Sequence, residues 1–211
     1  MTIEWEVEPE QAAHFSGRVR LANSQYLLRP ITVLVNGKQV PVKDGCFELF
    51  TYPGHVDLEV EARHYQPYRQ ELFLDEGPNE VDILLEPAYS PDELDLFARL
   101  VHAESAGEPY AGQGAVAASV LHRLESPAYP NTLRGVIYQV TDGRYYQYSP
   151  VLDGRIDLPA NRASFQAVYD ALAGWDPSRG ATGFYNPRKT SNRWVRGRPV
   201  TTTIGKHVFF R

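Results

Sequence analysis

Between Phe15 and Leu85, apolar residues recur at every second position in short runs. The run VDLEVEARHY sets Val56, Leu58, Val60 and Ala62 against Asp57, Glu59 and Glu61. A period of two puts one set on a buried face and the other in water, the signature of a half-buried strand. FSGRVRL alternates likewise, with Phe15, Val19 and Leu21 inward. ITVLVNGKQVPV is two β-branched runs around Asn36-Gly37, a dipeptide suited to a two-residue hairpin turn. Asp44-Gly45 marks a turn before CFELF, and QELFLDEGPNEVDILLEP gives two further strands around Gly77-Pro78. Six or seven short strands with frequent turns predict an N-terminal all-β antiparallel sandwich over residues 1–87.

The period changes after a linker at Pro87–Pro91, opening a second domain over residues 88–211. Ser90 suits a helix cap, Pro91 the first helical position, and Glu93 completes a capping box. Leu94, Phe97, Ala98 and Val101 then form an apolar stripe, which Gly107 and Pro109 terminate. A second helix runs from about Ala111 to Leu124, with small residues in AVAASV permitting close helix approach. Asn131–Gln139 is a short third helix and Asn161–Ala173 a fourth. TGFYNP, RWVRGRPVTTT and GKHVFFR read as short strands. The second domain is therefore predicted to be α+β, mainly helical with a small β element.

Charge divides the chain the same way. Residues 1–88 carry 7 Lys/Arg against 15 Asp/Glu, whereas residues 89–211 carry 14 against 11. After Asp176 there are eight basic residues and no acid. The first part is unsuited to anionic partners, and with acids scattered through the second part, nucleic acid is not an expected partner. The single cysteine, Cys46, rules out an internal disulfide and a Cys₂-type zinc site. MTIEWEVEPEQ is acidic and lacks an apolar run, so it does not read as a secretory signal peptide, and no stretch is long and apolar enough for a membrane span.

One carboxylate stands out. Glu104 follows Leu100 by four and Val101 by three, so it closes the first helix on its apolar side. Burial raises a carboxyl pKa, and the negative end of the helix dipole pushes the same way. A carboxyl so placed suits general acid chemistry near neutral pH. The structural alternative is a cap or an ion pair with a neighbour such as Arg123. Ordinary glycoside hydrolysis needs a second carboxylate. Glu108, Asp142, Asp153 and Asp157 are the candidates, each readable as a surface or turn residue. HAESA is not the H-E-x-x-H zinc pattern, no G-x-S-x-G elbow is present, and no metal or cofactor is expected. The aromatic and polar residues Tyr145, Tyr146, Tyr148, Tyr185, Asn186, Trp194 and His207 suit either sugar rings or a small aromatic core.

Two stretches resemble known families. GRV…RPITVLVNG…VKDGCFELFTYPGHVDLEVEARHYQPY…VDILLEP is similar to the carboxypeptidase regulatory-like (transthyretin-like) sandwich, whose members act as spacers or binding platforms; a protein partner of this domain is expected on that ground. From Phe97 to Arg211, the segments ARLVHAESAGEPYAGQGAVAASVLHRLESPAYPNTLRGVIYQ, YSPVLDGRIDLP and AVYDALAGWDPSRGATGFYNPRKTSNRWVRGRPVTTTIGKHVFFR resemble the cell wall hydrolase family of the spore cortex-lytic enzymes (SleB/CwlJ type).

The second resemblance implies a lysozyme-like catalytic domain acting on peptidoglycan glycan strands, in the cell envelope or spore. It implies a lytic transglycosylase that cuts the muramic acid–glucosamine β-1,4 bond with Glu104 as general acid and then base. Gln113, Ser149, Tyr185, Asn186 and His207 fall on motif positions and are the expected substrate contacts. His102, Ser105 and His122 depart from the family pattern, so hydrogen bonding near Glu104 is expected to differ. TDGRYYQ looks expanded, which would lengthen a cleft loop. The rival readings are an N-acetylmuramoyl-L-alanine amidase and a non-catalytic envelope protein that only holds glycan.

Overall fold

The turn dipeptide Asn36-Gly37 has φ values of 51° and 73°, the left-handed pair that a tight hairpin requires. The turn joins strands β2 (Ile31–Val35) and β3 (Lys38–Val40), with Val33 opposite Val40. The computed structural model describes residues 12–211, so the expectation about a leader in MTIEWEVEPEQ lies outside the described residues. The chain divides into two units, one ending at Ala88 and the other running Tyr89–Arg211.

The first unit holds two sheets. One has the order β4-β1-β7 (Cys46–Thr51, Ala13–Leu21, Gly77–Leu85), and the other β3-β2-β5-β6, with β5 at Gly54–Ala62 and β6 at Tyr68–Leu74. Alternation decides the faces: Phe15, Val19, Leu21, Val56, Leu58 and Val60 are buried, while Asp57 and Glu61 are exposed. The expectation of a purely antiparallel arrangement needs one correction, because β1 pairs β4 antiparallel but β7 parallel. Parallel neighbours need a long crossover, and here the strands β2 to β6 lie between the first and last strands of the unit. Two residues expected in the linker belong to this unit: Pro87 bridges Tyr65, and the Ala88 amide donates to the carbonyl of His64 at 2.8 Å.

The second unit begins with α1 (Pro91–Ser105). The Ser90 hydroxyl accepts from the Glu93 amide at 3.2 Å, and the Ser90 amide donates to the Glu93 carboxylate at 2.9 Å. This is the predicted capping box. Helices α2 (Tyr110–Glu125), α3 (Leu133–Ile137) and α5 (Arg162–Leu172) follow, and α1, α2 and α5 pack on one another around Phe97, Leu100, Val116 and Val168. A short hairpin, β8 (Val140–Thr141) with β9 (Tyr145–Tyr146), precedes α4 (Ser149–Asp153) and a single 3₁₀ turn at Arg155–Asp157. The chain closes with a sheet of order β10-β12-β11 (Gly183–Tyr185, His207–Phe210, Val200–Ile204).

One predicted strand is partly helical. Within RWVRGRPVTTT, Arg193–Arg196 form a short helix, α6, and the strand starts only at Val200. The Asn192 side chain accepts from the Trp194 amide at 2.9 Å, and that cap turns the chain where Trp and Val favour extension. No helix among the described residues is long and apolar enough to cross a membrane.

Candidate functional site

The last turn of α1 and the loop after it form one wall of a cleft of about 510 Å³. The opposite wall comes from β10, the segment Asn186–Val195 and the turn into β12. Glu104 projects into this space. Its side chain takes no part in any hydrogen bond or ion pair among the described residues, which disposes of the cap and of the Arg123 pair. Arg123 instead donates to the carbonyl of Thr182 at 2.5 Å.

Burial is the main reason the Glu104 carboxyl titrates high, at about 7, and Asp153 adds to the rise. Arg155, Lys189 and Arg123 act against it without overcoming the loss of solvation. A carboxyl titrating near 7 can give a proton and take one back at neutral pH.

Ser149, Tyr185, Asn186 and His207 line the same cleft as Glu104. Gln113 does not. It is buried in α2, where its side-chain oxygen accepts from Ser164 at 3.1 Å. The Ser164 hydroxyl also lies 3.4 Å from His102 Nδ1, so Gln113 reaches the cleft wall only through Ser164 and His102. Its amide group is committed to packing α2 against α5, a tertiary demand that the motif position does not reveal.

His207 is 8% exposed and its Nδ1 has no hydrogen-bond partner. Desolvation lowers its pKa, and Lys189 and Lys206 also lower it while Glu108 opposes them, so the ring is a neutral imidazole at neutral pH. Phe184 lies 5.1 Å away, centroid to centroid. Tyr148 carries a buried hydroxyl without a partner. Its ring sits 5.0 Å from the Arg123 guanidinium, and burial pushes its pKa up to about 12.

The candidate second carboxylates are otherwise engaged or elsewhere. Glu108 lines the cleft, but its Oε2 accepts from the Lys206 amide at 2.7 Å. A side chain at Gly205, where φ is 57°, would collide with that carboxylate, so the glycine makes the contact possible. Asp153 is paired with Arg155 at 2.8 Å. Asp142 and Asp157 are exposed and do not line the cleft.

Arg155, Lys189 and Thr190 were not singled out in the sequence, yet all three line the cleft. Arg155 donates to the Ala103 carbonyl at 2.7 Å and to the Ser149 hydroxyl at 3.0 Å. It therefore fastens α4 to the last turn of α1, one residue before Glu104. Its partners lie up to 52 residues away, so no local pattern marks it.

The three departures from the family pattern resolve separately. His102 lines the cleft and meets Ser164, whereas the Ser105 hydroxyl bonds back to the Val101 carbonyl at 2.6 Å. His122 lies 2.8 Å from the Ala181 carbonyl and 3.5 Å from Asp176, away from the cleft lining. None of the three hydrogen-bonds Glu104. The TDGRYYQ segment forms the β8–β9 hairpin and contributes no residue to the cleft lining. Among the described residues, no three His, Cys, Asp or Glu side chains gather closely enough to hold a metal ion.

A mainly helical unit that presents one unpaired carboxyl of raised pKa in a cleft is an arrangement suited to acid–base chemistry. Comparison with known proteins places it more closely. The Cell Wall Hydrolase family profile matches residues 107–210, beginning three residues after Glu104. The catalytic domain of the germination-specific lytic transglycosylase SleB from Bacillus anthracis is 40% identical, with a TM-score of 0.54, over 59% of this chain and 98% of that one. The catalytic domain of the Bacillus cereus SleB protein is 41% identical, with a TM-score of 0.53, over 59% and 93%. The spore cortex-lytic enzyme of Bacillus subtilis is 41% identical over 121 residues, 57% of this chain but 38% of that enzyme's length. The chain belongs to the cell wall hydrolase family, and it spans less than half the length of the curated relatives it matches.

Proposed function

We propose that the second unit is a lysozyme-like lytic transglycosylase that cuts the β-1,4 bond between muramic acid and glucosamine in peptidoglycan, in the cell envelope or spore. The observation that carries this reading is a single unpaired carboxyl, Glu104, titrating at about 7 in the cleft, with every nearby carboxylate tied to another group. Similarity to the catalytic domain of the lytic transglycosylase SleB and to a spore cortex-lytic enzyme supports the type of cleavage and the substrate class.

In the first step, Glu104 gives its proton to the glycosidic oxygen as the bond from that oxygen to the muramoyl C1 breaks. In the second, the muramoyl C6 hydroxyl bonds to C1 and its proton passes to the Glu104 carboxylate. The carboxyl is regenerated, no water is consumed, and the new end is a 1,6-anhydro ring. One group serves both steps because acid and base roles alternate. Arg155, Lys189 and Arg123 favour the ionised form between the steps. Ser149, Tyr185, Asn186 and His207 contact the substrate from the cleft lining.

The first unit is, on this reading, a transthyretin-like sandwich that spaces the catalytic unit or docks a protein partner. The two sheets with buried faces and the turn-rich connections support it.

Digestion of purified peptidoglycan in water enriched in heavy oxygen tests the mechanism. The expected muramic ends carry no label. Labelled reducing ends would show hydrolysis, and new L-alanine amino groups would show an amidase.

A further inference from the structure

Trp194 is 65% exposed, yet its ring is held on more than one side. It meets Phe210 edge to face, with centroids 6.3 Å apart and planes at 89°. The Arg198 guanidinium lies 5.2 Å from its centroid, and Arg198 is itself fixed by donating to the Arg211 carbonyl at 2.8 Å. Within the same segment, Arg196 donates to the Thr190 carbonyl at 3.0 Å, closing the loop that carries α6.

The position of the ring relates it to the cleft. Asn192 and Val195, on either side of Trp194, line the cleft, and so does Tyr185, whose ring lies 6.0 Å from Phe210. Tyr185, Phe210 and Trp194 thus form a row of aromatic rings from the cleft wall outward to solvent. A rigid exposed aromatic loses little conformational freedom when a ligand covers it. Pyranose rings present apolar C–H faces that match an indole face, and a polymeric glycan extends beyond any cleft that holds its scissile bond.

We propose that Trp194 is a glycan-binding platform outside the catalytic cleft, stacking against a sugar ring displaced from the bond being cut. This rests on the reading of the cleft as a glycan-cleaving site, and its role is affinity and placement on long strands. Trp194 takes no part in proton transfer.

The test uses the full chain carrying Glu104→Gln, so that binding is read without turnover. Calorimetric titration with a soluble β-1,4-linked N-acetylglucosamine oligomer is repeated after adding Trp194→Ala or Trp194→Phe, with thermal melts confirming folding. The expected results are a loss of affinity of about tenfold for Trp194→Ala and a much smaller loss for Trp194→Phe, which keeps an aromatic face. In the Glu104 background, Trp194→Ala raises KM on peptidoglycan and leaves kcat within about twofold. The proposal is overturned if the oligomer does not bind, if Trp194→Ala binds within about twofold of its parent, or if the Phe variant loses as much as the Ala variant. Failure of the unsubstituted protein to cut peptidoglycan would sink the glycosidase reading alone, because the titration needs no turnover.

Discussion

Arg155 donates a hydrogen bond to the carbonyl of Ala103, 2.7 Å away, in the residue immediately before Glu104. The same guanidinium grips Asp153 and the Ser149 hydroxyl. The helix end that presents the acid is thereby fastened to a separate helix, and the cation that fastens it also draws the Glu104 pKa down.

Arg155→Met therefore has two effects. It frees the last turn of α1, and it removes the largest influence opposing the rise in the Glu104 pKa. The alkaline limb of kcat/KM moves to higher pH, and kcat falls by about tenfold or more as the acid loses its placement. Arg155→Lys keeps the charge but not the forked contacts, so it restores the limb more fully than kcat. A pH–rate profile for each variant separates the two effects.

Lys189 lowers the Glu104 pKa without touching it. Lys189→Gln moves the alkaline limb upward by a fraction of a unit, and added salt shrinks the difference between variant and parent. The check is a pair of pH–rate profiles at low and high ionic strength.

Glu104 also costs stability. Its folded pKa of about 7 exceeds the ordinary value of 4.5, so the folded state holds the proton more tightly than the unfolded chain. Stability contributed by this group is complete below pH 4.5 and is lost as pH rises through 7. Glu104→Gln is accordingly more stable than its parent at pH 8, by about 3 kcal/mol, and the gap closes towards pH 4. Denaturant melts of the full chain at the two pH values measure it.

Gly114 lies where any Cβ would run into the Trp175 ring, which itself stacks on Tyr110 at 5.3 Å. Gly114→Ala destabilises the second unit by about 1–3 kcal/mol through overpacking, although alanine is the better helix former. A lowered melting temperature of the full chain is the readout.

Legibility in the sequence followed the range of the interactions. The strands β2 and β5, the hairpin at Asn36-Gly37 and the Ser90 capping box are set by neighbours within a few residues, so pattern and spacing located them. Glu104 was visible because its helix has a clear apolar stripe. The parallel pairing of β1 with β7 joins residues more than sixty apart, and no local signal encodes it. The helices α4 and α6 span five and four residues, too short to display a helical period. Arg155 and Lys189 reach the cleft by tertiary folding alone. Gln113 failed as an expected cleft residue for the same reason, since Ser164 on α5 captures its side chain.

The most direct test of the central claim is mass spectrometry of purified peptidoglycan digested by the protein and by Glu104→Gln. The expected result is 1,6-anhydromuramic ends from the parent and a loss of at least about a hundredfold in their rate of release from the variant. Unchanged release by Glu104→Gln, or reducing ends without the anhydro ring, would contradict it.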